Sequence, residues 1–317
     1  MGLKFGVFLD PLFLSTTYPL FKEEALEAER LGYESLWVSD HLMTGKKPII
    51  ECFTTLSAFA SITRTIRLGS LVACNSYRNP SILAKTAATV DVISNGRLEF
   101  GIGAGWDEEE YRAYGIPFLK ASIRIAQLKE GVEIIRRMWT EESPSYSGKY
   151  FSIRGAHCEP KPVQKPHPPI TIGGGGEKLT LRVVAEYADR WSWGGSVEEF
   201  TQRLKVLEAH CSQVGRDCAE IEKSLYARVK ISNNRRELRN YFEKLYSGGQ
   251  LYFGTPVLFE EWFQTLRTRN IVGTLEECLV KIREYADLGI TYFMLTFLDL
   301  PSTHDMRLFA EEIMGKV

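Results

Sequence analysis

Strand and helix patterns alternate along this chain from end to end, and no other feature constrains the fold as much. Short apolar runs at Lys4–Leu9, Ser35–Val38, Ile66–Ala73, Leu98–Ile102, Ile170–Ile172, Arg190–Trp193, Leu225–Ile231 and Thr291–Thr296 read as strands. Amphipathic stretches at Leu20–Leu31, Thr54–Thr63, Ser81–Ser94, Ser122–Trp139, Lys178–Tyr187, Val197–Val214, Leu275–Leu288 and Thr303–Met314 read as helices. Pro80 suits a first helical position, and Gly32 and Gly289 suit the residue just past a helix end. Such alternation implies parallel βαβ units. A count of eight favours a closed (β/α)8 TIM barrel over an open sheet. The 317 residues fit one such domain, 1–317. Two segments depart from the pattern. About 140–169 is rich in Tyr, Ser, Gly and Pro, and Tyr146–Ile153 reads as a hairpin. About 247–270 carries Tyr252, Phe253, Phe259, Trp262 and Phe263, and reads as a lid, a dimer contact or a helix packed on the barrel.

Charge and composition exclude several function classes. Lys and Arg total 39 against 40 Asp and Glu, for a net charge of −1. This balance argues against nucleic acid or a polybasic membrane surface as partner. MGLKFGVFLD reads as a strand rather than a signal peptide. No apolar run is long enough to span a bilayer. Cys52, Cys74, Cys158, Cys211, Cys218 and Cys278 form no CxxC motif, and the five histidines no HExxH motif. No metal is therefore expected. Unpaired thiols suggest a reducing cytoplasm.

In a closed parallel barrel the loops after the strands share one rim, where ligands bind. Four of these loops carry chemistry. SDHLMTG (Ser39–Gly45) brings Asp40 and His41. His41 titrates near neutral pH, and Asp40 beside it is placed to hold its tautomer or touch a ligand. ACNSYRNP (Ala73–Pro80) brings Cys74 and Asn75 as partners for a ring edge. In GAGWDEEEY (Gly103–Tyr111), Ala104 and Gly105 let a flat ligand lie close, and Trp106 either stacks on it or fills core. The acidic run Asp107–Glu110 suits a helix start. GGGGEK (Gly173–Lys178) gives the clearest signal. Four glycines before a helix leave backbone N–H groups unshielded in a positive potential, which makes a phosphate cradle. It is no Walker A loop, because Glu177 follows the last glycine. No two acids from separate strand ends form a hydrolase pair.

WVSDH, the segment Tyr77–Phe118 and PITIGGGGEKLTLRVVAEYADRW together resemble the luciferase-like oxidoreductase superfamily, and within it the coenzyme F420-dependent branch. The likeness covers nearly the whole chain and is weakest between about 231 and 270. It implies a barrel that binds a flavin or deazaflavin at the rim, with a phosphate on Gly174, Gly175 and Gly176. It also implies a non-proline cis peptide at Ser70–Leu71, in a bulge that backs the ring. By the same resemblance His41 handles the proton near the reacting carbon and Asp40 touches the cofactor. The implied cofactor-binding set is Asp40, His41, Ser70, Leu71, Ala73, Cys74, Ala104, Gly105, Trp106, Gly173–Gly176 and Glu177.

The expected function is hydride transfer between F420 and a small organic substrate. The alternatives are an FMN-dependent monooxygenase fed by a separate flavin reductase, and a non-catalytic flavin-binding protein. Lys46, Lys47, Arg78 and Lys178 are candidates to hold the anionic tail of F420. Gly45 stands where the family's sugar-phosphate and alcohol dehydrogenases carry Trp, and Trp106 stands where they carry Glu. Those groups handle the substrate oxygen, so their replacement leaves a reductase at least as plausible as a dehydrogenase. Relatives pair through flanking helices, which implies a homodimer through the Pro80–Ser94 helix.

Overall fold

A computed structural model of the chain describes residues 2–10, 17–248 and 258–317. Eight parallel strands form the barrel: β1 Lys4–Leu9, β2 Ser35–Val38, β3 Arg67–Ser70, β4 Leu98–Gly103, β5 Ile170–Gly173, β6 Arg190–Trp193, β7 Glu222–Ile231 and β8 Ile290–Phe297. Each pairs with the next, and β8 pairs back onto β1, which closes the ring. Helices pack outside it, and the main apolar core lies between them and the strands. The fold is the TIM barrel that the eightfold alternation implies.

The barrel interior explains several small residues. The Trp37 ring fills the lumen, and a Cβ at Gly69 would lie 2.2 Å from that ring. Trp37 Nε1 and the Tyr292 hydroxyl both donate to Ser35 Oγ, at 2.6 and 2.7 Å. At the N-terminal end a chain of charges crosses the lumen. Lys4 pairs with Glu222, Glu222 with Arg190, Arg190 with Glu99, and Glu99 with Arg67. This layer seals the end opposite the loops named above.

The third strand departs from the expected continuous run Ile66–Ala73. It stops at Ser70, and Ala73–Cys74 resumes as a separate two-residue strand on β4. The non-proline cis bond is Leu71–Val72, one residue beyond the expected Ser70–Leu71. Val38 and Ser70 are still in register, and the Leu71 N–H donates to the Val38 carbonyl at 2.8 Å. The ladder therefore carries through Leu71 before the chain turns. The Val72 methyls then occupy the space that side chains on Gly103 and Gly173 would fill, 2.7 and 3.0 Å from their ideal Cβ positions. Three strand ends meet there without steric conflict.

The two departures from the repeat differ in kind. Tyr146–Ser147 and Ser152–Ile153 pair antiparallel, as expected. Glu130 accepts the N–H groups of Lys149, Tyr150 and Phe151, which fixes the hairpin tip to the helix Ala121–Thr140. Within 247–270 the chain forms the helix Phe259–Arg269, packed on Arg235–Ser247. Leu238, Phe242, Phe263, Leu266 and Val272 make a small core of their own there. The helix Arg235–Ser247 and the strand Ile271–Gly273, which extends β7, have no counterpart in the sequence reading. Tyr252 and Phe253 lie outside the described residues.

Candidate active site

A cavity of about 670 Å³ opens at the C-terminal ends of the strands, within the size range of small-molecule sites. Every barrel strand from β1 to β7, or the loop after it, contributes to its wall.

At one side sits His41. Its Nδ1 lies 3.0 Å from Glu110 Oε2. Glu110 is buried and belongs to the short helix Glu108–Ala113, whose N-cap is Asp107. Its Oε1 accepts the N–H groups of Leu42 and Met43, and its Oε2 also accepts the Tyr77 hydroxyl. One carboxylate thus ties the loop after β2 to the segment after Cys74. Burial alone would raise the Glu110 pKa, but the donors from His41, Tyr77, Leu42 and Met43 outweigh it and hold the group below the usual range. Burial likewise works against charge on His41, yet the Glu110 bond and the charges of Glu110, Asp10 and Asp107 raise its pKa. His41, Asp107 and Glu110 each bring one potential ligand atom within 4.8 Å of the others. The Glu110 oxygens already carry four donors, so the group is a hydrogen-bond cluster.

Asp40 lines the cavity but does not hold the His41 tautomer. Its carboxylate takes both terminal nitrogens of Arg78, at 2.6 and 2.9 Å, and the Cys74 N–H at 2.8 Å. It braces the bulge, and Glu110, not Asp40, sets the His41 tautomer. Arg78 also pairs with Glu51 at 2.5 Å. It is therefore committed inside the protein, against the expectation that it holds an anionic tail.

The fourth-strand loop is shaped by contact. Gly105 has φ +76°, and an ideal Cβ there would sit 1.9 Å from the Tyr111 hydroxyl and 2.6 Å from Cys74 Sγ. Cys74 Sγ and the Tyr111 hydroxyl are 3.0 Å apart, and burial pushes the thiol up to about 11. It lines the cavity as a neutral group. Trp106 is 61% exposed at the mouth and meets the His41 ring edge-on at 5.7 Å.

At the other side lies the glycine loop. Gly174 has φ +125°. The carbonyls of Gly174 and Gly175 are anchored by Trp191 Nε1 and Arg203 Nε, at 2.8 and 3.1 Å. A Cβ on Gly175 would meet Trp193 Nε1 at 2.5 Å. Gly173, Gly174 and Thr180 line the cavity beside Arg124, which comes from the first turn of the helix Ala121–Thr140. Arg124 is buried, stacks on Phe118 at 4.1 Å and donates to the Leu119 carbonyl. Its Nε is buried without a partner, and among the described residues no carboxylate pairs with it. An uncompensated buried guanidinium beside two helix starts is suited to an anion.

Of the residues expected from the sequence, Asp40, His41, Leu71, Ala73, Cys74, Ala104, Gly105, Trp106, Gly173 and Gly174 line this one cavity. Ser70 lies behind it, with its hydroxyl on the Gly101 carbonyl at 2.7 Å. Gly175, Gly176 and Glu177 do not line it, and the Glu177 carbonyl accepts from His210 Nε2 at 2.8 Å. Asn75, named as a partner for a ring edge, is instead buried against the helix at Gly131. Sequence reasoning missed Glu110 and Arg124. A signal existed for Arg124, because it shares the buried stripe of its helix with Leu128, Val132 and Ile135. Glu110 stands in a run of like charges that reads as a helix start.

Residues 4–292 match the family model described as luciferase-like monooxygenase. An uncharacterised protein of Mycobacterium tuberculosis is 32% identical over 168 residues, which are 53% of this chain and 58% of that one. The chain thus spans little more than half the length of the first relatives it matches. The F420-dependent glucose-6-phosphate dehydrogenase of Amycolatopsis mediterranei is 32% identical over 321 aligned residues, covering 93% of each chain. Among solved structures, an F420-dependent secondary alcohol dehydrogenase superposes with a TM-score of 0.82 at 20% identity, covering 99% of this chain and 98% of that one. The barrel, the bulge after β3 and the match across most of its length agree: the chain belongs to the luciferase-like monooxygenase family.

Proposed function

We propose that the chain is a coenzyme F420-dependent oxidoreductase acting on a small organic substrate. One observation carries this reading: a single cavity joins an anion cradle to a histidine held by a buried carboxylate. The cradle residues fit a cofactor phosphate. Gly173 and Gly174 leave the wall open, the Gly174 N–H itself being held by the Ser192 carbonyl at 3.0 Å, while Thr180 lines the same wall and Arg124 supplies an uncompensated charge. The bulge at Leu71–Ala73 and the small residues Ala104 and Gly105 leave room for a flat ring between the two ends. A bound deazaflavin would supply hydride chemistry there. The chain's own residues do the rest. Asp40 and Arg78 hold the bulge, Glu110 fixes the His41 ring, and His41 Nε2 exchanges a proton with the substrate. Phe8, Trp193 and Trp106 shield the reacting centre from water. The full-length similarity to an F420-dependent dehydrogenase supports the choice of cofactor.

The second reading is an FMN-dependent monooxygenase, favoured by the family description itself. It uses the same cradle. The two part on a titration of cofactor-free protein with F420 and with FMN, followed through Trp106 and Trp193 fluorescence. Tight F420 binding and weak FMN binding are expected, and the reverse order would overturn the F420 reading.

A homodimer is also part of this proposal. The helix Pro80–Ile93 exposes Ile82, Val92 and Ile93 along one side, an apolar stripe suited to a second copy. Sedimentation should give twice the chain mass, and substitution of Ile82 and Ile93 by Glu should give monomer.

A further inference from the structure

The surroundings of His41 bear on which protonation state it presents to the cavity. Both Glu110 oxygens are saturated: Leu42 and Met43 donate to Oε1, and Tyr77 and His41 donate to Oε2. A carboxylate with four donors stays ionised and takes no proton from its neighbours. His41 Nδ1 therefore keeps its hydrogen, and all proton exchange with the cavity falls to Nε2. The charges that act most strongly on the ring are carboxylates. Asp107, from the N-cap of the helix Glu108–Ala113, places an oxygen within 4.8 Å of His41 and Glu110. Asp10, at the end of β1, adds its charge to theirs. The nearby cation Arg78 is already neutralised by Asp40 and Glu51. Tyr77 faces the ring only through Glu110, and burial and the Glu110 bond push its hydroxyl far above the ordinary range, so it stays a donor. Among the described residues, Glu110, Asp10 and Asp107 raise the His41 pKa, while the cations Arg124 and Arg228 stand elsewhere on the cavity wall; the bonded Glu110 carboxylate favours the imidazolium.

We infer that Glu110 is a positioning residue that presents His41 to the cavity as a proton donor, and that the chain is a reductase of polarised double bonds: carbonyls, imines or conjugated alkenes. The inference rests on the F420 reading for its source of hydride. The step balances as follows. A bound reduced deazaflavin would supply hydride, a proton with two electrons, to form the new C–H bond at the electrophilic carbon. The π pair moves to the oxygen, the nitrogen or the α-carbon. That atom takes the proton as the Nε2–H bond of His41 breaks. The deazaflavin ends oxidised, and His41 ends neutral with Nδ1–H still on Glu110. Trp106, edge-on to His41 and exposed at the mouth, gives an apolar acceptor a flat surface to rest on.

The test is an NMR titration of the His41 ring nitrogens in cofactor-free wild type, Glu110→Gln and Tyr77→Phe. Acceptor reduction by reduced F420 is then followed against pH in the same proteins. His41 should titrate above the ordinary histidine value in wild type, below it in Glu110→Gln, and no lower than wild type in Tyr77→Phe. The reduction rate should fall as pH rises through the His41 value. That inflection should move down in Glu110→Gln, with about a tenfold or larger loss at neutral pH, and Glu110→Asp should restore part of it. An ordinary or lowered wild-type value, or one unchanged in Glu110→Gln, overturns the role of Glu110. Faster alcohol oxidation than carbonyl reduction at neutral pH overturns the reductase. Failure to bind F420 overturns the reductase together with the cofactor reading, whereas the titration reads Glu110 without any cofactor.

Discussion

Replacing Gly105 by Ala tests the cavity wall at its tightest point. The residue adopts φ +76°, and the new Cβ would lie 1.9 Å from the Tyr111 hydroxyl and 2.6 Å from Cys74 Sγ. Two costs add. An L-residue in the left-handed region costs about 1–2 kcal/mol. Moving the Tyr111 hydroxyl disrupts its contacts with Cys74 Sγ at 3.0 Å and the Ala104 carbonyl at 3.3 Å, about 1 kcal/mol each. The sum is about 3–4 kcal/mol, or a Tm about 4–6 °C lower for a chain of this size. Gly115 supplies the control, since it adopts φ +68° with nothing within 4 Å of an added Cβ. Gly115→Ala should lose only the backbone part, about 1–2 kcal/mol. Urea unfolding of both variants isolates the packing cost as their difference. Adding Tyr111→Phe to Gly105→Ala should recover part of it, because the clashing oxygen is gone. Losses for the two single variants within about 0.5 kcal/mol of each other, a typical surface effect, would refute the tight wall.

Three further outcomes follow from the same contacts. Arg124→Ala should weaken F420 binding about 10–100-fold, the value of a lost charge-assisted hydrogen bond. Arg124→Lys should recover part of it, as read by fluorescence titration with inorganic phosphate as competitor. Glu99→Ala should cost about 3 kcal/mol by urea unfolding. It strips one carboxylate from buried Arg190, which keeps its 2.7 Å pair with Glu222. Burial, with the charge of Glu23 adding, holds Glu24 up to about 8. Its folded pKa thus lies above its unfolded one, so the stability this group contributes is full below about pH 4.5 and is lost as pH rises to about 8. Glu24→Gln should remove that decline, giving a higher Tm than wild type at pH 9 and little change at pH 4.5.

The barrel was legible because each strand is buried on both faces and each helix on one, so the apolar period changes at every boundary. Ser35–Val38, Arg190–Trp193 and Val197–Val214 fall where the pattern puts them. Local composition hid what depends on distant partners. The end of β3 depends on Val38 and on glycines of β4 and β5, so the cis bond at Leu71–Val72 was read one residue early. Ile271–Gly273 has three residues and pairs only with the end of β7. At the site, the Asp-His pair drew notice because it is rare and polar after an apolar strand. Its working partner, Glu110, is 69 positions away and was masked by Asp107, Glu108 and Glu109. Arg78 looked like a free rim cation because its two carboxylates, Asp40 and Glu51, both come from the segment after β2.

Anaerobic turnover with reduced F420 and a panel of carbonyls, imines and conjugated alkenes tests the central claim most directly. Wild type and His41→Asn are compared after F420 binding to each has been measured. The account predicts oxidation of the deazaflavin without oxygen in wild type, and a loss of about 100-fold or more in His41→Asn with binding retained. Turnover that requires oxygen and reduced FMN, or that survives in His41→Asn, would contradict it.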